Sequence, residues 1–153
     1  METLFPAGLE ITRMTGGQVE AVHALSCACF AHPWRLESWQ QELAEPSAIT
    51  LVAVAGGEVL GFVNARRVLD EGDLNLIAVR EDCRRQGLAG ALLEALFSAC
   101  RQAGVERLTL EVRVSNAPAI ALYEAFGFSQ IGRRKEYYTE PVEDAWLLSR
   151  ELG

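Results

Sequence analysis

The sequence has few basic residues and no long hydrophobic run. Lysine and arginine number 14 against 21 aspartate and glutamate residues, so the formal net charge is −7. This balance argues against a protein that binds a nucleic acid backbone, which requires a basic face, and leaves room for a cationic partner. No stretch approaches the roughly 20 apolar residues that a membrane span needs, which argues against a membrane protein.

The four cysteines and two histidines form no metal-binding pattern. No two cysteines have the C-x-x-C spacing, and His23 and His32 complete no ligand set. A structural zinc site or a disulfide framework is therefore not expected, and reduced thiols fit a cytoplasmic protein. The first six residues lack the basic and long apolar segments of a secretory signal, which agrees with that location.

Length and composition indicate one folded domain over residues 1–153. Half of the residues are apolar and 23% are charged, as is typical of globular proteins. The hydrophobic pattern predicts the element order β-α-α-β-β-β-α-β-α-β-β, an α/β fold with a mixed sheet. Strands are predicted at 9–14, 49–55, 58–69, 73–79, 108–114, 128–132 and 145–149, and helices at 19–29, 35–43, 88–99 and 116–126. A turn is predicted at 70–72, and the β-α-β unit from Asp73 to Val114 is predicted to be parallel and right-handed.

The junction between residues 79 and 93, VREDCRRQGLAGALL, has the features of an anion site. It contains neither a P-loop nor the G-x-G-x-x-G dinucleotide motif. Gly87 and Gly90 allow the backbone to approach a ligand, and the N–H groups and dipole at the helix start favour negative charge. Arg84 and Arg85 add positive charge, so a pyrophosphate fits. An ordinary solvated helix start, softened by glycine, is an equally good interpretation.

Two polar side chains are candidates for proton transfer. Glu111 lies in an alternating strand whose apolar residues are expected to face the core, so its carboxylate is expected on the opposite face, where it suits a general base. Viewed alone, a salt bridge with Arg113 or Arg66 is the favoured interpretation. Tyr123 lies about two helical turns after Asn116, so both can face one groove, and a phenol can protonate a leaving thiolate. Viewed alone, Tyr123 reads as an ordinary half-buried aromatic residue.

Together these segments resemble the GCN5-related N-acetyltransferase (GNAT) superfamily. Residues 84–89, RRQGLA, match its Q/R-x-x-G-x-G/A motif, with Ala89 where many members have glycine. Nearly the whole chain is similar to the ribosomal-protein-alanine N-acetyltransferase subfamily, through the segments HPW, VLDEGDLNLIAV, LEVRVSNAPAIALYEAFGF, GRRKEYY and EDAWLL. The resemblance implies the GNAT fold, a single mixed, mostly antiparallel sheet of six to seven strands with about four flanking helices and a central parallel βαβ unit.

The resemblance also implies a role for each matching residue. Glu111 matches the general base and Tyr123 the general acid. The strand that meets the acetyl-pantetheine arm corresponds to Ile77, Ala78 and Val79. The other expected coenzyme contacts are Arg84, Arg85, Gln86, Gly87, Leu88, Ala89, Gly90 and Asn116. Residues in the regions that shape the peptide groove are Trp34, Tyr137 and Tyr138.

The implied reaction is acetyl transfer from acetyl-CoA to the N-terminal alanine amine of a small-subunit ribosomal protein, by direct attack and without a metal. The expected partner is the basic N-terminal segment of that protein, with no nucleic acid and no membrane. The chain is expected to be a monomer or weak dimer in the cytoplasm. An acetyltransferase for protein lysines or for a small amine is the main alternative, and a coenzyme-binding module without turnover is another.

Overall fold

The computed structural model describes residues 6–153, so residues 1–5 of the predicted domain lie outside the described part. The strands are β1 (Glu10–Arg13), β2 (Ala48–Ala55), β3 (Glu58–Val68), β4 (Glu71–Val79), β5 (Arg107–Arg113), β6 (Ser129–Thr139) and β7 (Val142–Glu151). The α-helices are α1 (Val19–Cys29), α2 (Leu36–Ala44), α3 (Leu88–Gln102) and α4 (Ala117–Ala125). The predicted element order is therefore confirmed. No helix in residues 6–153 is long and apolar enough to cross a bilayer.

All seven strands form one sheet in the order β1-β2-β3-β4-β5-β7-β6. Every neighbouring pair is antiparallel except β4 and β5, which α3 connects as a parallel pair. This confirms the predicted mixed, mostly antiparallel sheet with a central parallel βαβ unit.

The sheet carries a hydrophobic cluster on each face. One cluster joins the sheet to α3, whose Leu92 and Leu96 are fully buried, and also contains Tyr123 of α4. The other joins the sheet to α1 and α2, with Trp39 packed edge-on against Phe62 at 5.2 Å between ring centroids. Helix α3 extends three residues beyond the predicted end at 99, and Gly104 follows it with a φ of +84°, the left-handed conformation typical of a helix C-terminus.

Several predicted boundaries were wrong, among them the end of α3 and both ends of β7, and two differences have a clear physical reason. The turn expected at 70–72 lies at 69–70, and Gly72 belongs to β4, where an added Cβ would lie 2.9 Å from Cδ2 of Leu108. The strand expected at 128–132 extends to Thr139, because Tyr138 resumes pairing after a wide bulge that follows Arg134. The polar residues of this segment hid the strand, since almost none of its side chains is buried.

Candidate active site

The parallel strands β4 and β5 separate in the middle of the sheet. Their ladder begins at Glu71 and Arg107 and ends at Asp73 and Thr109. Beyond that point both strands continue, β4 along β3 and β5 along β7, without pairing with each other within residues 6–153. A gap therefore opens between two neighbouring strands, and backbone groups on both of its edges are available to a ligand.

A β-bulge accounts for the separation. Asn64 of β3 pairs with Leu76, whereas the next residue, Ala65, pairs with Leu74, so Asn75 has no partner in β3. A bulge bends its strand and increases the local twist. Because this one lies just beyond the last parallel pair, it turns the end of β4 away from β5.

A buried polar network holds the bulge. Asn64 is fully buried, and its amide nitrogen donates to Oε2 of Glu42 at 3.0 Å and to Oγ1 of Thr50 at 2.8 Å. Its carbonyl oxygen accepts a hydrogen bond from Nδ2 of Asn75 at 3.1 Å. Arg66 completes the network through an ion pair with Glu42, which is itself buried. Every member has a partner, as buried polar groups require.

The strand predicted to meet the coenzyme arm directs its backbone into this gap. The N–H of Arg80 donates to the carbonyl of Leu60 at 2.8 Å, which makes Gly61 and Val79 a non-hydrogen-bonded pair. The backbone groups of Val79 therefore point away from β3 and towards β5. Ile77, two residues earlier on the same edge, points the same way.

The loop after β4 is tied back to the end of that strand. Nε of Arg84 donates to the carbonyl of Val79 at 3.1 Å, so this arginine is fixed next to the mouth of the gap. Arg85 adopts a φ of +65° and is exposed, and Gln86 is half-buried. Arg84 and Arg85 therefore both belong to the loop that directly precedes α3.

Helix α3 begins without a side-chain cap. Its N-cap is Gly87, with a φ of +84°, and the first N–H to find a carbonyl is that of Ala91, which donates to Gly87 at 3.0 Å. The N–H groups of residues 87–90 are the four that a helix start leaves without intrahelical partners. The side chain of Leu88 is buried in the core, so its contribution to a ligand site is its backbone N–H. Uncapped N–H groups and the helix dipole together favour a bound anion.

Gly90 has a packing role that the sequence did not indicate. It is buried, and an added Cβ would clash with Cζ of Phe126 just beyond α4. The close approach that this glycine permits is therefore to an aromatic ring of the same chain. Ala89 beside it is half-buried.

Glu111 lies on the face of β5 opposite the hydrophobic cluster around α3, as predicted. Its side chain is 29% exposed, and Oε1 lies 3.3 Å from Nε of Arg134 on β6. Arg66 and Arg113, the partners expected from the sequence, pair with other carboxylates. A salt bridge is therefore present, but to a residue of another strand, and the carboxylate stays partly exposed.

Tyr123 lies on the other face, in the cluster that contains α3. It is 8% exposed, and its ring packs edge-on against Phe128 at 5.7 Å between centroids. Burial raises the pKa of Tyr123 to about 12, so the phenol stays protonated at neutral pH. This side chain is suited to donate a proton or hydrogen bond and unsuited to accept a proton.

Asn116, at the predicted start of α4, is the N-cap of this helix. Its side-chain oxygen accepts the N–H of Ala119 at 3.3 Å, and Pro118 occupies the first turn. The capping bond occupies the oxygen and leaves the exposed amide nitrogen available to a ligand.

The residues predicted to shape a peptide groove lie in two places. Trp34 packs against Trp39 at 4.8 Å between ring centroids and lines a groove of about 570 Å³ beside α2. Other residues that line this groove are Glu42, Glu45, Arg66, Asp73 and Asn75.

The second place is the β6–β7 hairpin. The rings of Tyr137 and Tyr138 pack edge to face, with 5.0 Å between their centroids. The guanidinium of Arg113 lies 4.2 Å from the ring centroid of Tyr138. Nε2 of His32, in the loop after α1, lies 3.3 Å from Oε2 of Glu140 at the hairpin tip. The loop next to Trp34 and the hairpin thus meet on the face that carries Glu111.

Residues 19–128 match the model of the acetyltransferase (GNAT) family. The chain belongs to this family. It is 36% identical over 145 residues to the [ribosomal protein bS18]-alanine N-acetyltransferase of Escherichia coli, which covers 94% of this chain and 97% of that protein. It is also 36% identical over 131 residues to a putative [ribosomal protein bS18]-alanine N-acetyltransferase of Bacillus subtilis, covering 85% of this chain and 87% of that protein.

A solved structure shares the fold. The crystal structure of the ribosomal-protein-S18-alanine N-acetyltransferase from Escherichia coli superposes with a TM-score of 0.87 at 34% identity, covering 95% of this chain and 94% of that one. This chain is therefore a GNAT acyltransferase, and enzymes of this family use acetyl-CoA. The uncapped start of α3, the two arginines and the open strand edges fit that co-substrate. Within residues 6–153 no group of three or more His, Cys, Asp or Glu side chains is arranged to hold a metal ion.

Besides the packing role of Gly90, the sequence did not indicate three features of this GNAT site. They are the Asn64–Asn75 bulge, the Arg134 partner of Glu111 and the contacts of Arg113 with the hairpin. Asn64 had a detectable signal, because it is a polar residue in the middle of the apolar run that forms β3. The two arginine contacts depend on β6 and β7 lying next to β5, which no local pattern indicates.

Proposed function

We propose that residues 1–153 form one domain that transfers the acetyl group of acetyl-CoA to the N-terminal alanine amine of a small-subunit ribosomal protein. The observation that carries the proposal is the gap between β4 and β5. The uncapped start of α3 follows β4 at one end of this gap, and the carboxylate of Glu111 lies on the face of the sheet opposite the α3 cluster. The named activity of relatives that cover nearly the whole chain supports the choice of substrate.

We assign much of the coenzyme binding to backbone N–H donors. We assign the pyrophosphate to the N–H groups of residues 87–90, with Arg84 and Arg85 supplying positive charge. The pantetheine arm would run along the open edge of Ile77 and Val79, past Ala78, and would reach the amide nitrogen of Asn116. In this position the arm adds hydrogen bonds to an edge that lacks a neighbouring strand.

We assign the deprotonation of the incoming amine to Glu111. A peptide α-ammonium has a pKa of about 7.7–8.0, so the removal of one proton near neutral pH needs little driving force. Glu111 would accept that proton directly or through a water. Arg134 is about half exposed and is free to move aside when the cationic amine arrives, because an exposed ion pair contributes little stability.

We assign the stabilisation of the leaving thiolate to Tyr123. With the Tyr123 pKa at about 12, above that of a thiol, a completed proton transfer to the thiolate is unfavourable. After the amine attacks the acetyl carbonyl, its nitrogen would give its second proton to water as the carbon–sulfur bond breaks. The sulfur would leave as a thiolate that the hydrogen bond from the phenol stabilises. No covalent intermediate on the protein is required.

The acidic surface agrees with a basic peptide. A net charge of −7 favours the approach of a cationic chain, and that attraction weakens as salt screens it. We expect Trp34, Tyr137 and Tyr138 to contact the first residues of the peptide.

Intact-mass analysis tests the proposal. Wild-type protein is incubated with acetyl-CoA and either a peptide that begins with alanine or the same peptide with a blocked N-terminus and an internal lysine. The proposal expects one added acetyl group on the first peptide and none on the second. Acetylation of the lysine peptide alone would support a lysine acetyltransferase, and thiol release that no peptide stimulates would support a coenzyme-binding module.

A further inference from the structure

Arg113 connects the strand of the proposed base to the tip of the β6–β7 hairpin. Nη1 donates to the carbonyl of Pro141 at 3.0 Å, and Nη2 donates to the carbonyl of Glu140 at 3.2 Å. Both carbonyls belong to the turn, beyond the last pair of the hairpin ladder. The same guanidinium covers the ring of Tyr138.

Glu143 extends this connection to the coenzyme side. Oε1 accepts a hydrogen bond from Nη1 of Arg113 at 3.1 Å, and Oε2 accepts the backbone N–H of Ser115 at 2.8 Å. Ser115 directly precedes Asn116, the N-cap of α4, the helix that carries Tyr123. These two hydrogen bonds lower the pKa of Glu143, so the pair stays ionised at neutral pH.

The arrangement differs from an ordinary surface ion pair. The side chains of Arg113 and Glu143 are only 29% and 16% exposed, and each also bonds to backbone groups of another segment. An isolated exposed pair contributes about 0–1 kcal/mol, because water competes for both partners. A planar guanidinium that bonds two carbonyls, a carboxylate and an aromatic face fixes their relative positions in a way that lysine cannot reproduce.

We propose that Arg113, held by Glu143, is a positioning residue that sets the affinity for the amine substrate by fixing the hairpin tip and Tyr138 on the face of Glu111. The inference rests on the proposed function, because it assigns the hairpin to the peptide. Arg113 touches neither reacting atom in this scheme. Its loss therefore affects KM for the peptide more than kcat.

The experiment compares Arg113→Gln, Arg113→Lys and Glu143→Gln with the control Arg133→Gln. Arg133 is a matched control because it lies in the same hairpin, pairs with Asp144 at 2.6 Å and covers the ring of Trp146 at 4.8 Å, yet contacts neither the turn nor β5. KM and kcat are measured with an alanine-initial peptide, and the acetyl-CoA Kd by calorimetry. Amide hydrogen exchange is followed over residues 137–143.

We expect the three test variants to raise KM for the peptide about tenfold, with kcat and the acetyl-CoA Kd within about twofold of wild type. Exchange at the hairpin tip should rise in the same variants and stay unchanged in Arg133→Gln. The lysine variant should not restore KM, since it lacks the planar fork. If Arg113→Gln fails to fold, Arg113→Lys and Glu143→Gln carry the same comparison.

Two results overturn the inference. One is an unchanged peptide KM in the test variants, and the other is an equal rise in Arg133→Gln, which would make general hairpin stiffness the cause. A wild-type protein that does not acetylate the alanine peptide is a different failure, because it rejects the proposed function. Hydrogen exchange would then still report whether Arg113 holds the hairpin.

Discussion

Glu111 and Tyr123 lie on opposite faces of one sheet. The alternation along β5 puts Leu110 and Val112 in the cluster that contains Tyr123, and puts Glu111 between them on the other face. The gap between β4 and β5 connects the two faces of the sheet. An amine and a thiol that use these two residues must therefore enter and leave from opposite sides of the sheet.

Replacement of Glu111 by glutamine should lower kcat/KM by roughly 10²–10⁴-fold, because the amide cannot accept the proton of the incoming ammonium. The acetyl-CoA Kd should stay unchanged, since the side chain lies on the face away from the proposed coenzyme contacts. Steady-state kinetics and calorimetry measure the two quantities. Glu151→Gln is the control, because it removes a carboxylate that pairs with Arg107 at the other end of β5. Full activity of Glu111→Gln between pH 6 and 9 would remove Glu111 from the role of base.

Replacement of Tyr123 by phenylalanine should slow the chemical step about 10–100-fold, the value of a hydrogen bond to a charged group. The ring keeps its packing against Phe128, so the fold should persist. Single-turnover kinetics isolates this step from product release. A single-turnover rate equal to that of wild type would reject a role for the phenol.

The same substitution should change stability at alkaline pH. The folded pKa of about 12 lies above the unfolded value of about 10, so the unfolded chain releases this proton first as the pH rises. The contribution of this group to stability is therefore complete below pH 10 and is lost between pH 10 and 12, by up to about 3 kcal/mol. The free energy of unfolding of Tyr123→Phe, measured from urea unfolding curves, should not show this part of the decrease between pH 10 and 12. Identical alkaline curves for the two proteins would contradict the burial argument.

Valine at Gly87 should weaken acetyl-CoA binding, and valine at Gly104 should not. Both glycines have a φ of +84° at the two ends of α3, so each substitution should lower the free energy of unfolding by about 1–2 kcal/mol. Only Gly87 belongs to the proposed phosphate site. Calorimetry with acetyl-CoA and urea unfolding separate binding from strain. An equal loss of affinity in both variants would mean that strain, and not the site, is responsible.

Leucine at Asn64 should lower the free energy of unfolding by about 1–3 kcal/mol, because Glu42 and Thr50 lose a buried partner. It should also weaken acetyl-CoA binding, since Asn75 loses the contact that holds the bulge. Asn75→Ala is the matched variant, as it removes the bulge contact and keeps the hydrogen bonds that Asn64 donates to Glu42 and Thr50. Normal acetyl-CoA affinity in both variants would show that the gap stays open without this support.

Much of the fold was predictable because its signals are local. Asn116 with Pro118 marks the start of α4, and the apolar stripe from Leu88 together with Gly104 marks α3. Strand β6 was truncated because its exposed polar residues and its bulge after Arg134 erase the alternation on which strand prediction depends.

The candidate site was predictable in residue type and less so in geometry. The position of Glu111 away from the core followed from alternation, and the expected roles of Glu111 and Tyr123 came from the family resemblance. The partner of Glu111 did not follow, because Arg134 reaches it only through the order β5-β7-β6. The bulge beside the gap contains a hydrogen bond between Asn64 and Asn75 across two strands, which one sequence does not reveal.

The missing cap of α3 links the stability of this protein to its co-substrate. A serine or aspartate N-cap requires an extended backbone, whereas Gly87 has a φ of +84°, so a side chain at this position would not cap the helix in this conformation. The free protein thus leaves those donors to water, and a bound anion that takes them over favours the folded state by mass action. Acetyl-CoA at a hundred times its Kd would add about 2.7 kcal/mol against unfolding. When acetyl-CoA is scarce, the folded state would lack this added stability.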